Sequence, residues 1–148
     1  MPISHSSRSL QLRRLIWVGP LTVLTSIAAV LLVRVIAVAL LHPGPKFLPL
    51  ALVPPILDTV VLVTWAVLVF GAFVRFASNA IRKYKIIAAI VLLLSFLPDI
   101  AIARSHWLGA TWPYAFALMS MHVAAWAVCV LMLTKLTELN STTTTDRE

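Results

Sequence analysis

The stretch IIAAIVLLLSFLPDIAIA, residues 86–103, decides the architecture. It is apolar around the whole circumference of a helix and contains one charged residue, Asp99. A helix climbs ~1.5 Å per residue and the hydrocarbon of a bilayer is ~30 Å thick, so a span needs about 20 such residues. A helix that is apolar all round belongs in a membrane, whereas the surface helix of a soluble domain keeps a polar face. Arg82, Lys83 and Lys85 stand before the stretch and Arg104 after it, which puts charge where head groups and water begin.

Three more segments read the same way. They run over 15–41, interrupted by Arg34, then about 49–74, and about 112–134. The composition agrees: of 148 residues, 61% are hydrophobic and 11% charged. Soluble domains are nearer half apolar and a quarter charged. That balance excludes a soluble enzyme, a disordered chain and a secreted disulfide scaffold. The one cysteine, Cys129, also excludes an internal disulfide and a cysteine-built metal centre.

The expected fold is all-α, an integral-membrane antiparallel four-helix bundle in one domain. The links are His42-Pro43-Gly44-Pro45-Lys46, a basic loop over 75–85, and residues 104–111. Such short links make sequential helices antiparallel neighbours. Gly19-Pro20 and Pro113 are read into first turns, where a missing N–H does no harm. Thr111 is the expected N-cap of the last span. Residues 1–14 form a basic cytoplasmic arm, 15–134 the bundle, and 135–148 a polar cytoplasmic tail.

Lys and Arg give the orientation. Arg8, Arg13, Arg14, Arg75, Arg82, Lys83, Lys85, Lys135 and Arg147 fall on one side of a four-span chain, and only Lys46 and Arg104 on the other. Both termini are therefore expected in the cytoplasm. Arg13-Arg14 and Ala37-Val38-Ala39 imitate a signal peptide, but the apolar run between them far exceeds the usual 7–15 residues. The net charge of +7 is accounted for by orientation and anionic lipid. No basic patch interleaved with exposed aromatics invites nucleic acid.

The informative residues are the polar ones inside the spans. A charged group at mid-bilayer costs about 2.5–3.5 kcal/mol on insertion scales, so it turns inward and finds a partner. Counted from the cytoplasmic ends at ~1.5 Å per residue, Arg34 and Asp58 stand at similar heights of ~25–28 Å. Asp99 and His122 both stand near ~20 Å by the same count. The reading is a structural intramembrane ion pair, Arg34–Asp58, and a proton-handling pair, Asp99–His122, whose histidine can exchange a proton near neutral pH. Either pair can equally act as a staple between helices.

His122, Trp126 and Cys129 share one face of the last span, and Trp65 shares a face with Asp58. Trp65 and Trp126 lie near mid-membrane, away from the interfacial belt. With Cys129 they can wall a pocket for a lipophilic ligand, although an aromatic stripe at helical spacing also serves as plain core. Ser95 and Ser120 are expected to bond their own backbone. Packing between spans is expected on Thr25, Ser26, Ala28 and Ala29, and on Ser120, Ala124 and Ala127.

No nucleotide-binding, metalloprotease or serine-hydrolase motif is present. The sequence requires no cofactor and offers no metal site. The expected function is a non-catalytic membrane subunit or accessory factor. It packs against protein partners or a second copy, or binds a lipophilic small molecule. The alternative is a small redox or proton-coupled membrane protein, with Asp99–His122 serving a quinone, pigment or haem-like ligand.

The strings RRLIWVGPLTVL (13–24), VLLLSFLPDIAI (91–102) and MHVAAWAVCV (121–130) resemble a bacterial four-transmembrane-helix family of unknown function. The resemblance implies a four-span bundle in a bacterial inner membrane. It brings no catalytic residues and no substrate.

Overall fold

A computed structural model describes residues 5–44, 47–77 and 79–138, with backbone only for 5–13 and 136–138. The expected positions of the N-terminal arm before residue 5 and of the tail beyond 138 lie outside the described residues. The chain folds as helix α1 (His5–Leu41), a 3-10 turn at Leu48–Leu50, α2 (Val53–Phe76), α3 (Ala80–Ser105), a second 3-10 turn at Trp107–Gly109, and α4 (Trp112–Glu138). All four helices are long and apolar enough to cross a membrane, which marks a multi-pass membrane protein. Leu24, Leu32, Val61, Leu93 and Leu94 are among the many apolar side chains turned outward, as lipid-facing residues are.

Helix ends differ from span ends. The basic stretch over 75–85 is mostly helix, not loop: α2 runs through Phe76 and α3 begins at Ala80. Hydrophobicity marks where hydrocarbon ends, while Lys and Arg are good helix formers and carry the backbone onward into water. Asn79, at φ 58°, takes the left-handed conformation that reverses the chain, which Asn tolerates better than most residues. Arg82, Lys83 and Lys85 therefore stand exposed on the first turns of α3. Likewise α1 starts at His5, so Pro20 lies inside it rather than in its first turn. A proline there removes a helical N–H, a defect that spanning helices tolerate. Pro113 does sit in the first turn of α4.

Residue pairs fix the topology. A Cβ on Gly19 would stand 3.1 Å from Val67 Cγ1, and one on Gly71 2.8 Å from Leu15 Cδ2. Rising numbers on α1 thus meet falling numbers on α2, and the two helices are antiparallel at close range. Asp99 meets His122 across α3 and α4. Val30 and Met121 share a core cluster across α1 and α4. Helix α1 packs most extensively, on α4 and α2, while α2 and α3 make the slackest seam between neighbours in sequence.

Of the small residues expected at helix contacts, Ser26 is fully buried. Ala29, Ala124 and Ala127 are half-buried, and Thr25, Ala28 and Ser120 face outward. The closest approach instead uses Gly19 and Gly71. The core is divided in two. Phe47, Leu50, Val30, Ala110 and Met121 close the end that carries the two 3-10 turns. Phe70, Val74, Tyr84 and Leu133 close the end that carries the termini. The polar groups and cavities described next lie between these plugs.

Candidate functional site

Pro54 and Pro55 open α2 and have no N–H to give. The chain is also extended at Ala51, φ −62° and ψ 167°, so the Leu50 and Ala51 carbonyls before α2 have no helical donor. In an apolar medium an unbonded carbonyl is costly. Arg34 fills the gap: its Nε donates to the Leu50 oxygen at 3.0 Å and lies 3.3 Å from the Ala51 oxygen. This corrects the expected Arg34–Asp58 pair, which is absent among the described ion pairs. Arg34 ties α1 to the turn before α2, because that is where acceptors are left open.

Asp58 turns instead to a cavity. It lies one residue before Thr59, whose Oγ1 donates to the Pro55 carbonyl at 2.6 Å. The cavity holds about 450 Å³ and is bounded by α2, α3 and α4, with Val30 of α1 at its back. Asp58, Asp99 and His122 are the ionisable groups in its wall, and Pro54, Pro55, Val61 and Met121 are among the apolar ones. Asp99 is 5% exposed, deep in the wall of α3. His122 Nε2 stands 3.4 Å from Asp99 Oδ2, and that oxygen has no hydrogen-bond partner among the described groups. The pair is therefore close but not locked, and both residues border open space.

A second cavity of about 220 Å³ adjoins the first on the side of the termini. Trp65, Trp126 and Cys129 all line it, so the structure brings these three together. Trp65 is 63% exposed and forms an outer lip, whereas Trp126 is half-buried and its Nε1 has no partner. Cys129, 4% exposed, faces the hydroxyls of Ser26 and Tyr84. Leu62, Val63, His122 and Ala125 line both cavities. His122 is thus the polar point where two apolar chambers meet.

Tyr84 is the residue that sequence reading missed. Aromatic residues near span ends commonly join the interfacial belt, yet Tyr84 is 2% exposed and packs edge-on against Phe70 with ring centroids 4.9 Å apart. Its hydroxyl faces the Cys129 thiol. The signal was available: Tyr84, Ala88, Val91, Leu92, Ser95 and Asp99 follow helical spacing along one face of α3. Ser95 and Ser120 bond the Leu92 and Phe116 carbonyls, as expected.

No group of three His, Cys, Asp or Glu residues among those described is placed to hold a metal ion. The site consists of two carboxylates and an imidazole spread round an apolar chamber, with indoles and a thiol below. The hollow has the size of an organic molecule, and an imidazole and a carboxyl stand side by side at its edge; among the described residues that line it there is no nucleophile–base–acid array. No protein-family model matches the chain, and no curated protein or solved structure is found to be similar to it.

Proposed function

We propose that this chain is a small polytopic inner-membrane protein, with both termini cytoplasmic, that takes up a lipophilic molecule from the bilayer without transforming it. The observation that carries the reading is the pair of adjoining cavities that meet at His122 and Ala125. Ligand sites are mostly apolar hollows of about 300–1,000 Å³ with a few convergent polar groups; the larger chamber, about 450 Å³, falls in that range and the smaller extends it. The slack α2–α3 seam, with Leu62 and Val91 outward on its two sides, supplies a lateral way in from lipid.

Purification in mild detergent, followed by mass spectrometry of retained molecules, tests the proposal. The expected result is a small apolar molecule held in near-stoichiometric amount. A chain that retains only bulk lipid and detergent contradicts it. A co-purifying protein in place of a small molecule would favour the accessory-subunit role. For the orientation, a reporter that is active only in the cytoplasm, fused after Glu148, is expected to be active; silence there with activity of a periplasmic reporter reverses the topology.

A second reading has its own observation. His122 stands beside Asp99 and borders both chambers, as a proton-handling residue for a quinone, pigment or haem-like ligand would. An absorption band from the purified protein beyond its indole spectrum would favour it. A colourless preparation that retains a small molecule favours simple binding.

A further inference from the structure

The larger chamber is bordered by acceptor oxygens without a matching fixed cation. Asp58 and Asp99 both face it, and among the described residues no Lys or Arg lines it. Arg34, the basic residue deepest in the spans, is committed to the Leu50 and Ala51 carbonyls. His122 reaches Asp99 only at 3.4 Å, and Asp99 Oδ2, buried in the wall, accepts no hydrogen bond. A carboxylate held away from water needs a counter-charge or a donor, and a half-satisfied one is costly. Among the described residues no three His, Cys, Asp or Glu are placed to hold a metal ion. Between them lies room of organic size, about 450 Å³, walled by Val30, Pro55 and Met121.

From these observations we propose that the ligand is a lipophilic organic cation. Its positive head sits between Asp58 and Asp99, and its apolar body extends past His122 toward Trp126. The inference rests on the lipophilic-ligand reading and adds the charge class. The smaller chamber suits the body rather than the head: its wall carries neither an Asp nor a Glu, and it is lined by Trp65, Val69, Val91 and Trp126. A cation entering the outer chamber gains two carboxylates in a medium of low dielectric, where charge pairing is stronger than in water. An anion of the same shape meets like charge there.

Tetraphenylphosphonium and tetraphenylborate have the same shape and opposite charge, so they separate charge from bulk. The full chain in non-ionic detergent is dialysed to equilibrium against each, with protein-free micelles as the blank. The expected result is binding of the phosphonium at least about ten-fold tighter than of the borate. Asp58→Asn and Asp99→Asn each weaken phosphonium binding by about ten-fold, and Asp58→Glu retains most of it. Asp58 is exposed, so its variants fold even if replacement of buried Asp99 disturbs the bundle. Equal binding of both ions, or binding that Asp58→Asn leaves unchanged, overturns the charge assignment. If a neutral apolar molecule is nevertheless retained on purification, the lipophilic-ligand reading survives that failure. If neither ion binds and nothing is retained, both fall.

Discussion

Arg34 donates from Nε to the carbonyl oxygen of Leu50 across 3.0 Å, and so supplies the donor that Pro54 cannot. That contact explains why the arginine is tolerated so deep in an apolar span. It also accounts for the lack of an Arg34–Asp58 ion pair among the described residues. One substitution pattern at the start of α2 thus shapes the chemistry of the chamber beside it.

Removing the donor exposes the cost. Arg34→Met is expected to destabilise the bundle by about 1–3 kcal/mol for each acceptor left bare, read as a lower midpoint of thermal unfolding in detergent. Arg34→Lys keeps a donor on α1 and is expected to recover part of the loss. An Arg34→Met protein as stable as the parent contradicts the assigned role.

His122 is expected to matter to stability through Asp99. His122→Ala leaves the buried carboxyl facing a larger void, at a cost of about 1–3 kcal/mol. His122→Gln can still donate and is expected to recover part of it. If both variants unfold with the parent, the 3.4 Å approach of the two groups contributes nothing to the fold.

The α1–α2 contact has no slack at Gly71, where a Cβ would stand 2.8 Å from Leu15 Cδ2. Since Leu15 offers only the end of a flexible side chain, Gly71→Ala is expected to be mild. Gly71→Leu must part the helices and is expected to cost about 1–3 kcal/mol, as over-packing does. Thermal unfolding of the two variants gives the comparison, and equal midpoints would show that the helices are not in close register here.

Cys129 reports on the smaller chamber. Being 4% exposed, it is expected to react with N-ethylmaleimide about ten-fold more slowly in mild detergent than after denaturation in dodecyl sulfate. Occupation of the chamber by a lipophilic molecule slows it further. Fast labelling in the folded state would mean that the wall of Trp126 and Tyr84 does not close over the thiol.

Much of this was readable from the chain alone. Four apolar runs and the closeness of Asp99 to His122 follow from hydropathy and from counting height at a fixed rise per residue. Height is one coordinate, however, and it matched Arg34 with Asp58 without knowing which way either side chain turns. The competing acceptors at Leu50 and Ala51 lie where the chain is extended just before the prolines of α2, a matter of backbone bonding that hydropathy does not register. Tyr84 is not legible for a related reason: an aromatic residue near a span end fits the interfacial belt or a core plug equally well until the facing helix supplies Phe70. The chambers themselves arise from unequal packing among α2, α3 and α4, which depends on all three sequences at once.

The central claim is that the joined chambers hold a ligand, and Ala125 tests it because its small side chain borders both. Ala125→Phe fills the junction without removing a charged group. The measurement is the amount of small molecule that mass spectrometry finds retained per chain, compared between the parent and this variant at equal folded yield. The account predicts near-stoichiometric retention by the parent and loss of most of it in Ala125→Phe. The same molecules in the same amounts from both proteins would contradict it.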